Sequence, residues 1–175
     1  IGIDDFGAIN SSRGAAYGNY ILKSVADCIK ECLSDKQKIY HLVADQYVIV
    51  DLEHSSEEYA AELKKMIDAR LYKFIVSEKY EAVFSISVGV VDAVTFCEGY
   101  EECRKKFAFV LKKAKKMGKN GFYIFDENDY ESFLRTGKTV AALRNSVVNG
   151  FNGFEVYYQP IVDCSSERVI GAEAL

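Results

Sequence analysis

The sequence predicts an α+β fold with a ferredoxin-like sheet, its strands mostly antiparallel and flanked by helices. Three observations lead there. Strand-like and helix-like segments follow in the order strand, helix, strand, strand, helix, strand, helix, strand, which contains a βαββαβ unit. From Ala82 to Val91, Phe84, Ile86, Val88 and Val90 alternate with smaller residues, the pattern of a strand with two different faces. The longer segments carry apolar residues three and four apart, which line one side of a helix.

Taken in order, Ile1-Gly2-Ile3 reads as the end of a strand, with strand and loop running on to Asn10. Gly14 to Leu33 reads as a helix with Tyr17, Ile21, Leu22, Val25, Ile29 and Leu33 on one stripe. Lys38 to Leu52 reads as two strands reversing near Ala44-Asp45, and Val48, Ile49 and Val50 give the second its β-branched content. A helix then starts at Ser55-Ser56 and runs to about Ser77. Serine can cap it, and Glu57 and Glu58 suit the positive end of its dipole. Tyr100 to Met117 reads as a helix ended by Gly118, with lysines complementing its last turns. Phe122 to Phe125 is a short strand. Glu127 to Asn149 is a further helix in which Phe133, Val140 and Val147 recur every seven residues and Gly137 costs roughly 1 kcal/mol relative to alanine. Residues 154–162 and 168–174 read as a hairpin across the polar turn Cys164–Glu167. The expected organisation is a main domain over 1–126, a connector helix over 127–150 and a separate piece over 151–175.

Composition bounds the function. Apolar residues are 49% and charged residues 27%, as in an ordinary globular protein. A formal net charge of -4 gives no electrostatic footprint for nucleic acid. No apolar run approaches the ~18 residues of a membrane span and no signal peptide opens the chain, so no membrane contact and a cytoplasmic location are expected. The five cysteines form no C-x-x-C pair, and with only His41 and His54 beside them they read as small buried apolar side chains in a reducing compartment. Two histidines also leave little material for a Ser/His/Asp arrangement. The opening on a strand already under way suggests a fragment of a larger protein.

Tyr158-Gln159-Pro160-Ile161, followed by Gly171-Ala172-Glu173-Ala174-Leu175, resembles the opening of an EAL domain, the family of metal-dependent phosphodiesterases that hydrolyse cyclic di-GMP. The resemblance implies that Glu173 is a metal ligand for Mg²⁺ or Mn²⁺ and that Gln159 contacts substrate in an intact EAL domain. Such a barrel needs roughly the 250 residues typical of a TIM-type barrel. Residues 151–175 supply only its first strands, a β-hairpin fragment, so this chain is expected to hydrolyse nothing.

Ile3-Asp4-Asp5-Phe6 through Ile9-Asn10, Gly14, Gly18-Asn19, Ser85 to Val90 and Ala114 to Asn120 together resemble a GGDEF domain, the family that condenses two GTP molecules into cyclic di-GMP. The resemblance implies a GGDEF palm over residues 1–126. The five signature residues then fall on Val43, Ala44, Asp45, Gln46 and Tyr47. Two Mg²⁺ ions need carboxylates to hold them while they orient the attacking hydroxyl and neutralise the triphosphate. The family takes these from the signature acids and from an aspartate on the first strand, whose position here is Gly2. Gln46 is neutral, so only Asp45 remains. Asp4 lies two residues along, about 6.7 Å away, too far to share an ion bound at ~2.1 Å. Val43 and Ala44 put Cβ atoms where backbone should approach phosphate, and a β-branched residue resists positive φ. The family's product-inhibition motif falls on Ser34–Gln37, which lacks its arginine and aspartate.

The same resemblance implies that Asn10 and Asn19 read guanine and that Lys115 and Lys119 contact phosphates. Asn19 stands where the family has an aspartate, and an amide accepts without charge assistance. Local capping for the asparagines, and a solvated helix end for the lysines, are the competing expectations. The reading is therefore a catalytically inactive GGDEF-like regulatory domain, without a cofactor of its own, joined to an EAL domain of the same chain in a bacterial cyclic di-GMP phosphodiesterase. A homodimer is expected. Two alternatives remain: a GTP-binding allosteric module of weak affinity, and an active diguanylate cyclase with an altered metal site.

Overall fold

Strand β4 (Ile86–Val90) is the centre of the sheet. In the computed structural model, which describes residues 1–175, β4 pairs antiparallel with β1 (Gly2–Ile3) and parallel with β5 (Phe122–Ile124). Strands β2 (Lys38–His41) and β3 (Tyr47–Val50) form an antiparallel hairpin. A bridge between Gly2 and Gln46, with backbone bonds from Ile3 N to Asp45 O (3.2 Å) and from Tyr47 N to Ile1 O (2.9 Å), sets β3 beside β1. Read across, the order is β2, β3, β1, β4, β5. The first four are antiparallel neighbours, as a ferredoxin-like βαββαβ unit requires. Strand β5 returns to β4 through the crossover helix α5 (Tyr100–Lys116), and a parallel pair needs such a connection.

The alternation along β4 gives the sheet two covered faces. Ile86 and Val88 join Ile3 in a core with Ile21, Val25 and Ile29 of α2 (Ala15–Lys30) and Ile67 and Leu71 of α3 (Glu57–Ser77). Ser87 and Gly89 point the other way. A Cβ on Gly89 would stand 2.4 Å from Val110 Cγ2, so α5 lies directly on the backbone there. Phe109, Val110, Phe125 and Tyr130 form a second cluster on that side. Ser56 caps α3 by accepting from Tyr59 N at 3.1 Å, the role its sequence position suggested.

Two helices escaped the sequence reading. Residues taken as strand and loop form α1 (Phe6–Arg13). Only Ile9 of this helix is buried, so no apolar stripe announces it. A short turn, α4 (Ala93–Phe96), is capped by Asp92, whose Oδ1 accepts from Val94 N and Thr95 N. The strand expected over 82–91 is regular only over Ile86–Val90.

The chain divides into two units, Ile1–Tyr130 and Glu131–Leu175. Helix α6 (Glu127–Val148) begins in the first, where Tyr130 is buried, and fills the start of the second. Strands β6 (Tyr158–Asp163) and β7 (Arg168–Ala174) pair antiparallel with a register shift between Ile161 and Val162. Asp163 closes their turn by accepting from Ser165 N and Ser166 N. No helix is long and apolar enough to cross a membrane.

Candidate nucleotide and metal site

The tip between β2 and β3 is a tight reversal held by main-chain bonds from Leu42 N to Gln46 O (2.9 Å) and from Gln46 N to Val43 O (3.0 Å). Ala44 takes the left-handed conformation, φ 52°, and its carbonyl lies 2.9 Å from His41 Nε2. The strain foreseen for Val43 is absent, because the positive φ falls on Ala44 alone in this turn. Tyr47 anchors the returning strand. It is buried, and its hydroxyl donates to Leu22 O of α2 at 2.8 Å. Burial, then the nearby Asp45 carboxylate, pushes its phenol up to about 12. Tyr47 therefore ties the hairpin to α2.

Asp45 faces α5. The Lys115 ammonium, near the end of that helix, donates to Asp45 Oδ2 at 3.0 Å and to the Ile3 carbonyl at 3.0 Å. Gly2 makes room for it, since a Cβ there would stand 3.0 Å from both Lys115 Cε and Nζ. Gln46 contributes its backbone to the bridge with Gly2. Magnesium demands near-octahedral oxygen coordination at ~2.1 Å. The chain offers one carboxylate and one carbonyl, both already engaged by an ammonium, and nowhere gathers three His, Cys, Asp or Glu side chains fit for a metal. The residues present do not fit the pair of divalent ions that cyclase chemistry needs.

Asp4, a short step from Gly2, has a different task. Its carboxylate is buried and accepts from Ser87 Oγ (2.7 Å), Ser85 Oγ (2.6 Å) and Asn120 N (2.9 Å). Burial disfavours its charge, but these three bonds outweigh that and hold the carboxyl below its ordinary range. Asp4 thus fastens β1 to β4 and to the loop after α5. From below, buried Lys64 of α3 holds the same loop, donating to Asn120 Oδ1 at 2.5 Å and to Asp68 Oδ2 at 2.6 Å. Ser87 of β4 and Ser85, the residue just before that strand, both face Asp4, and this spacing of two serines was the signal in the sequence that could have revealed the clamp.

The four nucleotide candidates are not joined by any hydrogen bond to one another. Asn10 lies inside α1 and Asn19 inside α2, so neither caps a helix, contrary to the competing expectation. Asn10 packs on Gly18, where a Cβ would stand 1.8 Å from Asn10 Oδ1 and 2.9 Å from its Cγ, so a larger residue there would displace the amide. Asn19 is exposed. Lys119 is largely exposed and pairs with Asp5, the residue preceding α1.

With this geometry in hand, comparison with known proteins gives the class. The family model for the diguanylate cyclase GGDEF domain matches residues 1–121, and the chain belongs to that family. Among curated proteins it is 25% identical over 168 residues to the cyclic di-GMP phosphodiesterase PdeB of Shewanella oneidensis, covering 95% of this chain and 20% of that protein. It is 26% identical over 174 residues to the cyclic di-GMP phosphodiesterase NbdA of Pseudomonas aeruginosa, covering 99% of this chain and 22% of that one. The chain thus spans about a fifth of the length of these relatives. In fold it is similar to the GGDEF domain of YfiN from Pseudomonas aeruginosa (TM-score 0.65, 17% identity, 76% of this chain and 78% of that one). It is also similar to an EAL/GGDEF domain protein from M. capsulatus (TM-score 0.59, 21% identity, 71% and 81%).

Proposed function

We propose that this chain is a GGDEF domain without cyclase activity that serves a regulatory role in a cyclic di-GMP phosphodiesterase. The observation that carries the reading is Asp45, the single carboxylate of the signature hairpin, already paired with Lys115 at 3.0 Å. One carboxylate cannot hold two divalent ions in place for phosphoryl transfer. The phosphodiesterase half of the reading is supported by the extent of the matches. The GGDEF model ends at residue 121, whereas the matches to PdeB and NbdA cover 95% and 99% of the chain and so run on past α6 and into the hairpin. In that reading residues 151–175 open an EAL domain, and Gln159 and Glu173 contact substrate and a Mg²⁺ or Mn²⁺ ion once the barrel is complete.

The test is incubation of the chain with GTP and either Mg²⁺ or Mn²⁺. No cyclic di-GMP should form. Product above a no-protein blank, abolished by Asp45→Ala, would refute the reading. A second reading, weak GTP binding as an allosteric input, is favoured by Asn10, which keeps the family's residue type and stays half-buried beside Gly18. Binding should then fall at roughly 0.1–1 mM, since the missing charge-assisted bonds cost about 1–2 kcal/mol each. Calorimetry with Asn10→Ala as control checks it. A homodimer through this domain is a further part of the proposal, to be read by sedimentation.

A further inference from the structure

We propose that the Lys115 ammonium is a built-in substitute for a divalent cation at the signature hairpin, and that it excludes such an ion from Asp45. This goes beyond the absence of cyclase activity, because an inactive site could still bind one metal ion. Four observations carry it. The ammonium bridges Asp45 Oδ2 and the Ile3 carbonyl at 3.0 Å each, the two oxygens that a cation seated at this tip would have to use. The helix that delivers it is seated on the sheet, with Leu111 and Ala114, one turn and one residue before Lys115, both buried. The space beside β1 is filled by this side chain and by Leu111, whose Cδ2 would lie 3.1 Å from a Cβ on Gly2, so a glycine at position 2 and the lysine fit together. Finally, no other carboxylate is available. Both oxygens of Asp4 are engaged by Ser85, Ser87 and Asn120, and Asp5 pairs with Lys119. The pair is charge-balanced, and a divalent ion brought to Asp45 would meet an ammonium at contact distance, unfavourable at any effective dielectric of a protein surface.

The test uses Mn²⁺ alone, followed by paramagnetic resonance of the free ion and by broadening of the Ile3, Asp45 and Gln46 amide signals in NMR. Two chains are compared: the unmodified chain and Lys115→Ala. The unmodified chain should leave these amides sharp, because the lysine satisfies Asp45. Lys115→Ala should bind one Mn²⁺ at least tenfold more tightly than the unmodified chain, with those amides broadened, and adding Asp45→Asn should abolish it. If Lys115→Ala does not fold, Lys115→Gln makes the same comparison. Mn²⁺ bound at Asp45 in the unmodified chain, or bound no more tightly by Lys115→Ala, would overturn the proposal. Neither result depends on whether cyclic di-GMP is made.

Discussion

Gly2 and Asp4 sit two residues apart at the start of the chain's sheet, and their surroundings differ in kind. Around Asp4 a buried carboxylate meets three donors from two other parts of the fold, β4 with the residue before it and the loop after α5. Around Gly2 there is no carboxylate, and a lysine from α5 reaches across to the neighbouring hairpin. The first arrangement holds the architecture together. The second, in the function proposed above, stands where a cyclase would hold its metal ions. The comparison teaches that the acids of one loop region separate into those a fold needs and those a reaction needs, and that a chain can have the first without the second.

The largest effect expected from breaking this comparison is at Asp4. Asp4→Ala leaves the buried Ser87 hydroxyl and the Asn120 N–H without their acceptor and should cost about 3 kcal/mol in urea unfolding. Lys115→Met should cost far less, since its partner Asp45 retains access to water; a loss as large as that of Asp4→Ala would erase the distinction between the two sites. Close behind Asp4→Ala comes Gly121→Ala. A Cβ there would stand 1.9 Å from Ala114 O, so the loop after α5 must shift, at a cost of about 2 kcal/mol.

Acid should act through the same clamp. The Asp4 carboxyl is held below its ordinary range in the fold, so its contribution is fully present above the unfolded value of about 3.9 and is lost as pH falls through the lower folded value. Stability should therefore decline with falling pH below about 4, and Asp4→Asn should flatten that decline in a pH series of thermal melts. The smallest effect is at the hairpin tip. Ala44→Gly relieves a left-handed alanine, worth roughly 1–2 kcal/mol, against the roughly 0.5–1 kcal/mol of extra chain entropy that glycine brings. The net gain should be about 0.5–1 kcal/mol, read from the urea midpoint, and it should restore no cyclase activity.

The same contrast marks how far the sequence could be read. The sheet was legible because β4 alternates large and small residues and the helices that cover it carry regular apolar stripes. Helix α1 was not, because it buries only Ile9 and has no capping side chain to mark its start. That Gly2 and Gln46 carry no carboxylate was visible in the sequence itself. Which group takes its place was not visible there. Lys115 is 70 residues from Asp45, and its pairing depends on where α5 lies across the sheet, which a one-dimensional pattern does not encode. Position 43 fails for a similar reason. Turn geometry decides which residue of a reversal takes positive φ, and here it chose Ala44.

The account rests on an ammonium, not a divalent ion, standing at Asp45. The most direct measurement is anomalous diffraction from crystals of the chain grown in excess MnCl₂. The predicted result is no manganese peak at the hairpin tip, with Lys115 Nζ remaining within hydrogen-bonding distance of Asp45 and the Ile3 carbonyl. A manganese peak coordinated by Asp45, with Lys115 swung away, would contradict it.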